Sequence, residues 1–241
     1  MMKFSLNVDH VAVLRNARAE VQPDPVTFAL LAEQYGVDGI VVHLREDRRH
    51  INERDLRLLR ELITTKLDLE MAATDEIVKI ACDIQPELAT LVPEKREELT
   101  TEGGLNVIDN LTHIKNTIIQ LHDAEVPVSL FIEPAFEQID AAAEINADFI
   151  EIHTGIFANA TTEADMFDEL ERVAQAAKHA KKLGLGVNAG HGLNYLNMKE
   201  FISIPDIDEV SIGQAVVARS IFVGIEQAIK EMLTIIRMRI E

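Results

Sequence analysis

The chain has 241 residues, and its 41 acidic against 23 basic side chains give a formal net charge of −18. That charge opposes the phosphate contacts behind nucleic-acid binding and repels anionic membranes, so neither is expected as a partner. The single cysteine, Cys82, excludes an intramolecular disulfide and four-thiolate metal sites, and with no leader-like or roughly 18-residue apolar run the expectation is a soluble, cytoplasmic protein.

Short apolar runs alternate with longer stretches of helical period along the whole chain. Strands are expected at 4–8, 39–44, 67–71, 89–92, 128–132, 149–153, 186–188 and 210–212. Several are apolar at nearly every position, as in strands covered on both faces of a parallel sheet. After the first strand, Asp24 reads as an N-cap with Pro25 in the first turn and Gly36 past the end. A second helix starts at Asn52 and Asp55 and carries Leu56, Leu59 and Ile63 on one face. Ile77, Ile80, Ala81 and Ile84 form the next stripe, then Leu111, Ile114, Ile118 and Leu121, then Met166, Leu170, Val173 and Ala177 ahead of Gly184. One long final helix is expected to carry Ile221, Phe222, Ile225, Ile229, Leu233 and Ile236, facing either the barrel or a subunit interface.

Eight βα units at roughly 29 residues per strand-to-strand step predict a single (β/α)8 TIM barrel with extra helices, spanning residues 1–241 as one domain. An open doubly wound sheet could use the same alternation. It is the weaker reading because no G-x-G-x-x-G follows the first strand.

In this barrel, catalytic groups gather at the C-terminal ends of the strands. Those ends are rich in polar residues here: Asn7, Asp9 and His10 at the first; His43, Arg45 and His50 at the second; Glu70 at the third; Glu133 at the fifth; Glu151, His153 and Thr154 at the sixth; Asn188 and His191 at the seventh. Five of the eight histidines lie there. Metal binding competes as an explanation, but H-E-x-x-H and helical His pairs are absent, so proton transfer is favoured and no metal is expected. Glu70 and Glu151 are flanked by apolar strand residues, where burial would raise their pKa values. Each alone reads equally well as half of an interior ion pair; beside histidines, acid/base chemistry is favoured.

Gly190-His191-Gly192 and Gly213-Gln214 stand after the seventh and eighth strands, where barrels of this type hold phosphate on backbone N–H groups. Arg15, Arg18, Arg45, Arg48, Arg49 and His50 suggest a second anion site, although the Arg48-Arg49 run reads equally as a solvated helix start. The segment 93–104, ending in two glycines, reads as a lid or as an ordinary loop.

Taken together, NVDH at 7–10, LRNAR at 14–18, HLREDRRH at 43–50, LEMA at 69–72, VPEKR at 92–96, TTEGG at 100–104, SLFI at 129–132, FIEIHTG at 149–155 and VNAGHGL at 187–193 resemble the pyridoxine 5'-phosphate synthase family of the deoxyxylulose-phosphate-dependent vitamin B6 pathway. The resemblance implies condensation of 3-amino-2-oxopropyl phosphate with 1-deoxy-D-xylulose 5-phosphate, without metal or organic cofactor, in a homo-octamer. It implies His43 and Glu70 as proton acceptors, His191 as proton donor and Glu151 as the transition-state-stabilising residue. Asn7, Arg18, Gly192, Gly213 and Gln214 resemble the family's contacts to the amino-ketone phosphate, and Asp9, His10, Arg45, His50 and Thr100 those to the deoxyxylulose phosphate. Gln214 departs from the Gly-His found in many members. Another phosphosugar lyase or isomerase, or a barrel that only binds phosphometabolites, are the alternative readings.

Overall fold

The computed structural model describes residues 1–94 and 103–238. Eight parallel strands close into a barrel in chain order, with β1 (Lys3–Asn7) hydrogen-bonded to both β2 (Gly39–His43) and β8 (Glu209–Ile212). The strands between are β3 (Lys66–Met71), β4 (Leu88–Leu91), β5 (Val128–Ile132), β6 (Phe149–His153) and β7 (Gly186–Gly190). All eight expected strands are present; the seventh runs two residues further than expected, to Gly190.

Helix punctuation follows the sequence. In α2 (Pro25–Gln34) the Asp24 carboxylate accepts the Val26 N–H at 3.0 Å. In α3 (Glu53–Leu62) Asn52 and Asp55 form a reciprocal capping box that satisfies two otherwise orphaned N–H groups. The expected stripes lie on α4 (Asp75–Ile84), α5 (Leu111–Asp123) and α8 (Glu163–Lys182). Apolar residues of the surrounding helices cover the outward-facing Ile40, Val42, Leu67, Leu69, Ile150 and Ile152, all fully buried. Four helices carry too few apolar residues at helical spacing to stand out in the sequence: α1 (Asp9–Asn16), α6 (Phe136–Glu144), α7 (Gly155–Ala158) and α9 (Met198–Phe201).

The expected single final helix is two helices, α10 (Gln214–Val223) and α11 (Ile225–Arg237). Gly224 separates them at φ +82°, a backbone angle that no continuous helix contains. The break also divides the apolar stripe. Ile229, Leu233 and Ile236 on α11 are buried against the barrel, whereas Ile221 and Phe222 on α10 are 66% and 83% exposed. Among the described residues, no helix is long and apolar enough to cross a membrane.

The barrel interior departs from the usual layers of Val, Ile and Leu. Inward positions carry Ser5, Lys66, Asp68, Thr90, Ser129, Glu151, Asn188 and Glu209, so an apolar ring between strands and helices surrounds a polar axis. Lys66 on β3 pairs with Glu209 on β8 across two intervening strands, so the contact crosses the lumen. Ser5 donates to Glu209 at 2.8 Å and Thr90 donates to Asp68 at 2.8 Å.

A second buried ion pair ties α1 to α3. Arg15 donates both terminal guanidinium nitrogens to Asp55 at 2.8 Å and one of them to the His50 carbonyl at 3.0 Å. Asp55 is fully buried and is also the capping-box residue. Removing one partner of such a pair strands a buried charge, which costs about 3–5 kcal/mol. Arg15→Ala is therefore expected to destabilise the protein by about 3 kcal/mol or more in urea unfolding; a loss below about 1 kcal/mol would mean that Arg54, 3.0 Å from Asp55, suffices alone.

Candidate active site at the C-terminal mouth of the barrel

The ends of β1 and β2 are joined through Asp9. Its backbone N–H donates to Asn7 Oδ1 at 2.9 Å, its Oδ2 accepts from Asn7 Nδ2 at 3.0 Å, and its Oδ1 accepts the His43 N–H at 2.9 Å. His43 is thereby held at the rim of the lumen, 5% exposed, between two carboxylates. Its Nε2 lies 2.8 Å from Glu94 Oε1, and its Nδ1 lies 3.8 Å from Glu70 Oε2.

Those two carboxyls have opposite electrostatics. Burial, together with the charges of Glu151, Asp9 and Asp68, pushes Glu70 well above the usual carboxylate range against a hydrogen bond from Asn7. Burial also acts on Glu94, but the His43 hydrogen bond and charge, the Glu46 N–H and Arg45 outweigh it and hold Glu94 below that range. Deeper in the lumen, burial and the Asp68 and Glu209 charges raise Glu151 to about 8, against the attraction of Lys66. The expectation of raised pKa values for Glu70 and Glu151 holds, and burial is the leading cause in both.

Three further histidines surround this centre. Burial lowers the pKa of His10 against the pull of Asp9. It lowers His50 likewise, helped by His43, Arg45 and His10. Burial and the neighbouring His153 and His10 lower His191 against Glu133. His50 Nδ1 accepts the Ile51 N–H at 3.0 Å, leaving Nε2 to carry the proton of the neutral ring. His191 has φ +80°, in the left-handed region that disfavours a side chain. The Thr154 hydroxyl, donating to both the Gly190 and His191 carbonyls at 2.7 Å, holds it there.

The second strand-end cluster of the mouth lies at β8. A Cβ on Gly213 would stand 2.8 Å from the Asn7 carbonyl and 3.0 Å from His10 Nδ1, so only glycine lets α10 begin this close to β1. No side chain caps α10; the Val216 N–H is taken by the Gly213 carbonyl at 3.0 Å, so the groups that can face an anion are those of Gln214 and Ala215 at its very start. The Gln214 side chain is exposed.

The expected arginine cluster is largely committed to carboxylates. Arg15 serves Asp55, Arg48 serves Glu53 and Glu76, and Arg49 serves Asp47. Arg45, 3% exposed and 3.5 Å from Asp47, lines the mouth with His50, while Arg18 is exposed in the turn after α1. Thr100 and most of the 93–104 segment lie outside the described residues. One set among the described residues could hold a metal ion: donor atoms of Asp9, His43 and His50 lie within 4.8 Å of one another. Both His43 nitrogens already face carboxylates and His50 Nδ1 accepts a backbone N–H, so the proton-transfer reading is favoured over a metal.

Sequence reasoning left out Glu94 as the partner of His43, although it stands directly after the fourth strand. It also passed over the interior set of Lys66, Asp68 and Glu209, which sits in the early half of its strands. The position of Glu133 after β5 was visible, but its bond to His153 was not.

The fold and this site define a class: a (β/α)8-barrel enzyme with imidazoles and carboxyls gathered at the C-terminal mouth. Residues 4–238 match the family described as "Pyridoxal phosphate biosynthesis protein PdxJ", and the chain belongs to that family. It is 54% identical over 236 residues to the pyridoxine 5'-phosphate synthase of Chlorobium phaeobacteroides, covering 98% of this chain and 100% of the relative. It is 51% identical over 237 residues to that of Geobacter sulfurreducens, covering 98% and 99%. Two solved structures of low identity share the fold. A native KDPGal structure superposes with a TM-score of 0.62 at 13% identity, covering 99% of this chain and 95% of that one. Phosphoribosylanthranilate isomerase from Thermotoga maritima gives 0.58 at 12%, covering 98% and 99%.

The raised Glu151 carboxyl has a consequence for stability. A group titrating at about 8 when folded, against a model-compound value of 4.5, keeps its proton in the fold after the unfolded chain has lost it. Stability therefore falls as pH rises through that interval. The melting temperature is expected to drop between about pH 5 and pH 9, and Glu151→Gln is expected to flatten the drop; parallel curves would remove Glu151 as its source.

Proposed function

We propose that this chain is a cytoplasmic pyridoxine 5'-phosphate synthase that joins 3-amino-2-oxopropyl phosphate to 1-deoxy-D-xylulose 5-phosphate, releasing inorganic phosphate and water. The observation that carries the reading is His43 set between an ionised Glu94 and a proton-retaining Glu70, in a chain of this family. Imine formation, enolisation, loss of phosphate, ring closure and dehydration each move protons at carbon, oxygen or nitrogen. Groups that titrate close to neutrality can serve in both directions.

In this reading His43 accepts the first proton from a substrate carbon, Glu70, protonated at rest, accepts one only after passing its own proton on, and His191 returns one to a departing oxygen. Glu151, neutral at pH 7, donates a hydrogen bond to negative charge that develops above the lumen. Asn7, Gly192, Gly213 and Gln214 cradle the amino-ketone phosphate through amide groups, with Arg18 as its cationic contact. Asp9, His10, Arg45 and His50, with Thr100, hold the deoxyxylulose phosphate. No metal or organic cofactor has a role. Phe222 and Ile221, exposed on α10, supply apolar surface for the homo-octamer that the family resemblance implies.

The test is incubation of the purified protein with both phosphates, followed by mass spectrometry for pyridoxine 5'-phosphate and a phosphate assay. Product is expected only when both are present; turnover of a single phosphate sugar would point to a lyase or isomerase instead. His43→Ala and Glu70→Gln are each expected to cut kcat by roughly 100-fold with the fold intact. A near-normal rate in either would remove that residue from proton transfer. Arg45→Ala is expected to raise KM for the deoxyxylulose phosphate more than for the amino-ketone, and an equal rise in both would overturn the division of the site.

A further inference from the structure

The mouth holds a second carboxylate–imidazole pair that the reading above leaves without a role. His153, the last residue of β6, is 5% exposed, and its Nδ1 lies 2.7 Å from Glu133 Oε1. The same Glu133 oxygen accepts the Gly104 N–H at 2.9 Å, and Arg172 stands 3.7 Å from the other oxygen. The His153 hydrogen bond, working with the Gly104 N–H and the two nearby cations, holds Glu133 below the usual carboxylate range despite its burial. An ionised carboxylate on Nδ1 keeps a hydrogen on that nitrogen, so Nε2 is the atom that presents a lone pair in the neutral ring and takes the proton when the ring is charged.

That Nε2 is buried and has no hydrogen-bond partner. A buried polar atom left unpaired on an imidazole gripped from its other side calls for an explanation. Its surroundings point towards His191. The two rings lie edge to face, with centroids 5.0 Å apart, and both line one cavity of about 770 Å³. A Cβ on Gly155 would stand 2.3 Å from His153 Nε2 and 3.2 Å from His191 Cδ2, so the glycine keeps the space beside both rings open. Phe131, with its centroid 5.2 Å away, packs against the His153 ring. Thr154, the next residue in the chain, grips the His191 carbonyl.

We propose that Glu133 and His153 form a positioning dyad that acts through His191, stabilising a positive charge on His153 and thereby setting how readily His191 gives up its proton. The proposal rests on His191 being the proton donor of the reaction above. A carboxylate behind an imidazole stabilises the imidazolium, as in hydrolase triads. Here the imidazolium is aimed at a second histidine, whose proton it loosens through charge repulsion. The charged and titratable groups around the two rings are His10 from α1, Glu133 after β5, and Arg172, Asp165, Asp168 and Glu169 from α8. Glu169 is engaged by Arg172 at 3.1 Å, which leaves Glu133 as the carboxylate directly bonded to either imidazole.

The test uses His153→Gln in the full-length protein, with two readouts. The first is the NMR titration of the His191 ring without substrate, which measures the coupling whatever reaction the enzyme catalyses. The His191 midpoint is expected to move upward in the variant. The second is turnover with both phosphates: kcat is expected to fall about tenfold with each KM within about twofold, and the alkaline limb of the rate profile to move the same way as the midpoint. An unmoved His191 midpoint in a folded variant overturns the proposal, even if kcat falls, because lost packing alone would then account for the loss. Should His153→Gln not fold, His153→Asn takes its place: its amide nitrogen can keep the hydrogen bond to Glu133 while the ring and its charge are gone, it is expected to move the His191 midpoint upward as well, and no movement there overturns the proposal equally. A moved midpoint with no synthase turnover in the unsubstituted protein would support the dyad and refute the reaction instead.

Discussion

One buried ammonium organises the centre of this barrel. Lys66 faces Asp68 and Glu209 directly and lies in the field of Glu151, inside a cylinder lined mainly by polar side chains. One positive charge cannot balance that many carboxylates out of contact with bulk water, so some must keep their protons. Burial and mutual repulsion push Asp68, Glu151 and Glu70 upward together. Lys66 itself stays charged: burial works against it, but Asp68 and Glu209 outweigh burial and raise its pKa. A lumen packed with Val and Leu would hold the eight strands equally well. It would not place proton-carrying carboxyls beneath the reacting atoms.

The barrel wall makes this polar axis possible. Along each strand the outward residues, such as Phe4, Leu6, Ile40, Val42, Leu67 and Leu69, are fully buried under helices and supply the hydrophobic stabilisation. The inward residues are released from that duty and can be chosen for chemistry. The second buried pair, Arg15 with Asp55, reinforces the outside by locking α1 and the start of α3 together. The Arg15 contact to the His50 carbonyl then extends this lock to the segment that carries Arg45 and His50.

Most of this division was legible in the sequence. Apolar runs located all eight strands, although α6 and α9, the helices after β5 and β7, did not stand out, and Asp24 and Asn52 marked two helix starts because capping is local chemistry. Glu70 and Glu151 were legible because their neighbours in the strand are apolar. Pairings made by barrel closure were not. Lys66 and Glu209 are far apart in the chain and meet only because β3 and β8 face one lumen. Arg15 looked like a free cation because nothing local to it reveals Asp55, which is satisfied locally by the capping box as well. The Gly224 break was hidden for the opposite reason: apolar spacing continues across it in sequence, while the backbone turns through φ +82°.

The two carboxylate–imidazole pairs at the mouth have a common construction. Glu94 follows β4 and grips His43 from β2, and Glu133 follows β5 and grips His153 from β6. Each rim carboxylate is held ionised by its histidine and by a backbone N–H, from Glu46 in one case and Gly104 in the other. Glu70 and Glu151 below are held the opposite way. Protonation therefore changes over a short distance along the barrel axis, from neutral acids inside to carboxylates at the rim. His43 sits at the crossing, 2.8 Å from an ionised Glu94 and 3.8 Å from Glu70. A proton taken up there can be stabilised as imidazolium by Glu94, while the proton on Glu70 is retained by burial. The same site can thus hold and release protons at neutral pH because the rim and the lumen set opposite preferences across a single ring.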